Sequence, residues 1–196
     1  MAPDSRGHGG TDNPADHLGY DQMADDVARL IEVLELEPPI VVGYSDGGQV
    51  ALELGLRHPG AARALVLGGT VSEPHDTYLQ GLHSWGFSAP GEVDLPTVTE
   101  EFGAEFFSET RVAHTNIRDD EQFDRFLRQI SRLWLTVPRY TESQLATIVE
   151  PTLVIAGDRD EMAGLDQAVR LFTHIPKAEL AIIPDADHGA ADQPLF

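Results

Sequence analysis

Apolar residues between Tyr20 and Leu36 fall at Met23, Val27, Leu30, Ile31 and Leu34. That spacing of i, i+4, i+7, i+8 and i+11 predicts a one-faced helix, stopped by Pro38-Pro39. The pattern then changes. Ile40-Val41-Val42-Gly43-Tyr44 is a short apolar run rich in branched residues, as expected for a strand buried on both faces. Ser45-Asp46-Gly47-Gly48 reads as a sharp turn, and Gln49 to Arg57 as a second helix ended by His58-Pro59-Gly60. Three further runs, Ala64 to Gly68, Pro151 to Ala156 and Leu180 to Ile183, read as buried strands. Strands separated by helices at these distances imply a mostly parallel sheet flanked by helices, and so an α/β class.

Between Thr70 and Glu150 the pattern is different. Pro, Gly and aromatic residues are scattered, and Phe123, Phe126, Leu127, Ile130, Leu133 and Trp134 then mark a strongly amphipathic helix. The expected organisation is a sheet-bearing core from residues 1–70 and 151–196, interrupted by a mostly helical insertion over 71–150. Pro3 to Asn13, with its Gly, Asp, Ser and Asn, reads as a loop with no strand before it.

Composition narrows what such a fold does. The chain has 196 residues, 33 acidic against 13 basic, for a net charge of -20, and 41% of it is hydrophobic. That apolar share belongs to a folded protein, so the negative charge sits on a folded surface. Such a surface repels phosphate backbones and anionic headgroups, which argues against nucleic-acid and membrane partners and leaves small molecules. The absence of Cys removes disulfides, thiol nucleophiles and Cys-type metal sites. No run approaches a membrane span, and the first ten residues carry no apolar signal-peptide core, so a cytoplasmic protein is expected.

The chemistry concentrates at strand ends. Gly43-Tyr44-Ser45-Asp46-Gly47 fits G-x-S-x-G directly after a strand and before a helix. A tight strand-to-helix turn strains its central residue and lifts the Ser45 hydroxyl clear of the sheet. Small residues at Gly43 and Gly47 let neighbouring backbones approach, and Gly48 eases the packing further. The N-terminus of the following helix, beginning with the Asp46 N–H, is aimed where a developing oxyanion would be stabilised. Centring the turn on Asp46 instead would put Tyr44 where a small residue is needed, which favours Ser45 as nucleophile. A serine needs a base, and the base needs a carboxylate to fix its tautomer. Gly157-Asp158-Arg159-Asp160 follows the third strand and Asp187-His188-Gly189 the fourth, so a carboxylate, from Asp158 or Asp160, and the His188 imidazole reach the same sheet edge.

The order Ser, Asp, His resembles that of the α/β-hydrolase fold family, in its ester-hydrolase type with a helical cap. Asp4-Ser5-Arg6-Gly7-His8-Gly9 is similar to that family's D-x-R-G-x-G loop after the fourth strand. The resemblance makes Ser45 the nucleophile, Asp160 (by G-x-x-D spacing) the acid after the seventh strand, and His188 the base after the eighth. Residues 71–150 then stand in the position of the cap that shapes substrate choice. By the same resemblance the four strands are the family's fifth to eighth. Its earlier strands, and the segment that gives a second oxyanion donor, would precede Asp4 in the family, so an N-terminally truncated chain with weak or no activity of its own is expected. The run Ile40-Val41-Val42 would then be an open sheet edge prone to self-association.

The remaining candidates have structural explanations. His8, His75, His83 and His114 read as loop, surface or pocket residues, and Asp185, Asp187, His188 and Asp192 match no metal-ligand spacing. Trp85, Phe87, Phe102, Phe106, Phe107 and Trp134 read mostly as core of the insertion. No dinucleotide or phosphate-loop motif is present, and acyl-enzyme chemistry needs no cofactor. The expected function is hydrolysis of a small carboxylic ester or lactone through Ser45, His188 and Asp160. C–C bond hydrolysis and cofactor-free perhydrolysis are the alternatives within the family, and an inert hydrolase fragment or binding scaffold is the alternative outside it.

Overall fold

The computed structural model describes residues 1–189, so the end of the expected core segment and Asp192 lie outside the described residues. The chain divides into two compact units, one made of Met1–Gly19 with Leu79–Val137, the other of Tyr20–Tyr78 with the chain from Pro138 onward. The N-terminal loop, expected with the sheet, groups with the inserted helices, and the inserted stretch retained by the helical unit runs only from Leu79 to Val137.

Among the described residues the sheet unit contains four strands, β1 (Ile40–Tyr44), β2 (Ala64–Gly68), β3 (Thr152–Gly157) and β4 (Ala178–Ile183), all parallel and in the order β1-β2-β3-β4. The register pairs Tyr44 with Gly68 and Gly68 with Ile155, which brings three strand ends level at one edge. Helix α1 (Tyr20–Val33) packs on α2 (Asp46–Arg57), and α2 in turn covers β1 and β2. Leu52, Leu54, Leu65, Leu67 and Val154 are fully buried there, and they form the core that fixes α2 against the sheet. β1 is an edge strand, with Ile40 49% and Val42 70% exposed.

Two differences from the sequence expectation have local causes. The expected helix from Tyr20 to Leu36 ends at Val33, where Glu35 turns to φ +50° and Leu36 N–H returns to the Ile31 carbonyl. The second helix begins at Asp46 and not at Gln49, because Gln49 N–H bonds the Ser45 carbonyl and draws Gly47 and Gly48 into the first turn. Glycine propensity alone argues for a turn there. Packing against β2 decides for the helix.

The helical unit contains most of α3 (Asp76–Ser84), all of α4 (Leu95–Ala113), which is kinked at Gly103, and all of α5 (Asp120–Leu135). Asp119 caps α5 by accepting from Gln122 N–H at 2.8 Å. An aromatic series, Trp85, Phe87, Trp134, Phe102, Phe106, Phe107 and Phe123, builds its interior through ring contacts of 4.9 to 6.3 Å. In the sheet unit the segment from Pro138 carries α6 (Glu142–Leu145) and leads into β3, and α7 (Leu165–His174) joins β3 to β4. No helix among the described residues is long and apolar enough to cross a membrane.

Candidate active site

Ser45 sits between β1 and α2 with φ +52° and ψ -118°, a backbone conformation that is costly for a residue with a side chain. Its surroundings hold it there. Ser45 N–H donates to the Gly68 carbonyl at 2.8 Å, and the Ser45 carbonyl accepts the first hydrogen bond of α2 from Gln49. A Cβ on Gly43 would overlap the Gly47 carbonyl, and one on Gly48 would overlap Thr70 and approach the Gly68 carbonyl at 2.9 Å. Gly47 is different: it is exposed, and a Cβ there would meet nothing within 4 Å. The close approach expected at Gly47 therefore involves its carbonyl, which lies over Gly43, and leaves its Cα face open.

Asp160 lies after β3 and His188 after β4, and the two loops are tied together. Arg159 N–H donates to the Ala186 carbonyl at 2.9 Å, and Asp158 N–H to the Ile183 carbonyl at 3.1 Å. His188 Nδ1 lies 2.9 and 3.0 Å from the two Asp160 carboxylate oxygens, while its Nε2 lies 3.0 Å from Ser45 Oγ. A carboxylate only accepts, so Nδ1 carries the proton and Nε2 is left to accept from the Ser45 hydroxyl. The Asp160 side chain is fully buried and also accepts from Ala163 N–H at 2.8 Å. Burial disfavours its charge, but the His188 hydrogen bond and the Ala163 and Met162 amides outweigh burial and hold the carboxyl below its ordinary value.

Asp158, the other carboxylate considered, makes no part of this chain of hydrogen bonds among the contacts described. Asp46 opens α2, so its N–H belongs to the first turn, and its carboxylate accepts from the Tyr20 hydroxyl at 2.6 Å. Tyr20 is buried, and burial together with the Asp46 charge pushes its hydroxyl well above the usual phenol range, so it remains a donor. Tyr78 is raised for the same two reasons. Tyr20, Tyr78, Gln49, Val71 and Met162 line a cavity of about 30 Å³ that reaches Ser45, Asp46 and His188.

Several of these neighbours carry no motif signal. Tyr44, at the end of β1, donates its hydroxyl to the His188 carbonyl at 2.9 Å. Its ring occupies space that side chains on Gly68 or Gly69 would fill, and a Cβ on Gly69 would also approach His188 Cε1 at 3.0 Å. The Gly68-Gly69 pair at a strand end is the one sequence feature that could have marked this crowding. Of the other histidines, His75 binds the Ala163 carbonyl through Nε2 at 3.0 Å, on the loop that also supports Asp160. His8 and His114 lie together in the helical unit, 5.5 Å apart, against Phe126. Among the described residues, no group of three or more His, Asp or Glu side chains is placed to hold a metal ion.

The sequence pattern of a family described as the alpha/beta hydrolase family matches residues 1–195. The AB hydrolase superfamily protein YisY of Bacillus subtilis (strain 168) is 29% identical over 95% of this chain and 73% of its own length. The 2-hydroxymuconate semialdehyde hydrolase of Pseudomonas sp. (strain CF600) is 29% identical over 96% of this chain and 69% of its own. Other relatives are named as an esterase and lipases. Among solved structures, the meta-cleavage product hydrolase CumD from Pseudomonas fluorescens IP01 superposes with a TM-score of 0.70 at 23% identity, covering 95% of this chain and 71% of CumD, a likeness of fold. With a family match over residues 1–195, and relatives named as hydrolases over nearly the same span, the chain belongs to the alpha/beta hydrolase family and is by resemblance a serine hydrolase.

Proposed function

We propose that the chain hydrolyses a small carboxylic ester or lactone through an acyl-enzyme formed on Ser45. The observation that carries this reading is the unbroken hydrogen-bond chain from Ser45 Oγ through His188 to Asp160. Ser45 Oγ attacks the carbonyl carbon while its proton passes to His188 Nε2, and the carbonyl oxygen becomes an oxyanion facing the Asp46 N–H. The C–O bond to the leaving group then breaks, and that oxygen takes the proton from Nε2. In the second half, water gives a proton to Nε2 and attacks the acyl carbon. Collapse returns the proton to Ser45 Oγ and releases the acid. Asp160 keeps the imidazole in the required tautomer and stabilises its charged form.

The helices between Leu79 and Val137 are assigned the substrate-selecting role of the insertion. β1, with Ile40 and Val42 exposed at the sheet edge, is assigned as a self-association edge, testable by concentration-dependent sedimentation. The second chemical reading is C–C bond hydrolysis, supported by the 29% identity to the 2-hydroxymuconate semialdehyde hydrolase.

The test is labelling with a fluorophosphonate probe, together with hydrolysis of short p-nitrophenyl esters and of a vinylogous 1,5-diketone. Labelling lost in Ser45→Ala with ester turnover supports the proposal, and diketone cleavage without ester turnover supports the second reading. Absence of labelling in folded protein leaves the inert-scaffold reading.

A further inference from the structure

Gln49 stands one helical turn after Ser45 and is 3% exposed. Its Nε2 donates to the Val71 carbonyl at 2.8 Å, and because that carbonyl only accepts, the amide orientation is settled. The other amide atom, Oε1, is buried and has no hydrogen-bond partner among the described residues. Leaving a buried acceptor unsatisfied is unfavourable, and most such atoms in folded proteins are partnered. The bond to Val71 accounts for the amide nitrogen and leaves the buried oxygen without a structural role. Gln49 lines the same cavity as Ser45 and His188.

We propose that Gln49 Oε1 is a specificity-determining acceptor for a hydroxyl on the acyl part of the substrate, at the first or second carbon from the scissile carbonyl. The inference rests on the acyl-enzyme reading above and names its substrate class: short hydroxy-acyl esters or the matching lactones. Cavity size sets the choice of hydroxyl. About 30 Å³ admits a group of a few atoms, such as a hydroxyl on a short chain. The Gln49 amide nitrogen is committed to Val71, so the oxygen is the amide atom left to read a donor. A site that holds an unsatisfied acceptor discriminates strongly against an analogue lacking the donor, since the acceptor then stays buried and unpaired.

The test compares kcat/KM for p-nitrophenyl esters in matched sets: 2-hydroxy and 3-hydroxy acyl chains, their methyl ethers, the unsubstituted chains, and an N-acetylamino arm. Wild-type protein should prefer one hydroxy ester over both its ether and its unsubstituted partner by about tenfold or more. In Gln49→Met that preference should collapse to within about twofold. Equal rates across the sets in wild-type protein overturn the inference, and this comparison needs no variant to fold. A preference that survives in folded Gln49→Met overturns it as well, because the hydroxyl is then read elsewhere. A preference confined to the N-acetylamino arm overturns the hydroxyl assignment. Fluorophosphonate labelling of Ser45 is measured in parallel. If Ser45 is not labelled, the acyl-enzyme reading fails and this one fails with it, whereas labelling with no hydroxyl preference removes this one alone.

Discussion

The carbonyl of Gly47 lies directly over the Cα of Gly43, in the space that any side chain at 43 would need. The two glycines of the G-x-S-x-G turn therefore have different roles. Gly43→Ala should cost about 3 kcal/mol or more, because backbone and not a movable side chain must give way. Gly47→Ala should be neutral or stabilising by up to about 1 kcal/mol, since the new methyl meets nothing and the helix gains a better former. Urea denaturation of the two variants checks the contrast.

Ser45 itself should be destabilising where it stands. At φ +52° a glycine relieves a strain of order 1 to 3 kcal/mol, so Ser45→Gly should unfold at higher denaturant than Ser45→Ala. Both should lose ester turnover by about 10⁴-fold or more. A reversed stability order would show that the turn is not strained.

Asp160→Asn should retain the fold yet lower kcat by about 10⁴-fold, because an amide can donate to Nδ1 and stabilise the wrong imidazole tautomer. Steady-state kinetics on the folded, unlabelled variant measure this directly.

Two buried carboxylates should pull the pH dependence of stability in opposite directions. Asp160 has a folded value below its ordinary 3.8, so its contribution is complete above about pH 3.8 and is lost as pH falls through the lower folded value. Glu53, which accepts from the Tyr140 hydroxyl at 2.7 Å, is raised above its ordinary 4.5 by burial, which that hydrogen bond only partly offsets. Its contribution is present below about pH 4.5 and is lost as pH rises through the raised value. Denaturation between pH 2.5 and 7 should show Asp160→Asn flattening the acid-side loss and Glu53→Gln flattening the fall in stability above about pH 4.5.

The parts of this arrangement that were legible in the sequence are those set by local pattern. The apolar run of β1, the glycines around Ser45 and the strand-end positions of Asp160 and His188 all follow from short stretches read in order. What escaped was set by distance along the chain. Tyr44 meets His188 across 144 residues, and Tyr20 meets Asp46 from a different helix, so neither leaves a periodic trace. Gln49 looks like an ordinary polar residue on a helix until its burial against Val71 is known. The start of α2 escaped for the opposite reason: Gly47 and Gly48 argue locally for a turn, while Gly48 packs against Gly68 and Thr70 inside the first turn of the helix.

Tyr44→Phe isolates one of those long-range contacts. The ring stays and the hydroxyl bond to the His188 carbonyl is lost, so turnover should fall about three- to tenfold with little change in fluorophosphonate labelling.

Ser45 follows β1 and His188 follows β4, the two outermost strands of the sheet. Three strand spacings amount to about 14 Å, yet the Ser45 hydroxyl and the His188 imidazole stand 3.0 Å apart. The loop after β4 therefore reaches back over β3 and β2, and the tyrosine at the end of β1 clasps it on arrival. This makes hydrolysis a gauge of the entire sheet. A slip of one residue at any of the three strand junctions, or fraying of either margin, would part the imidazole from the hydroxyl, so partly assembled forms of the sheet should be silent and not merely slow.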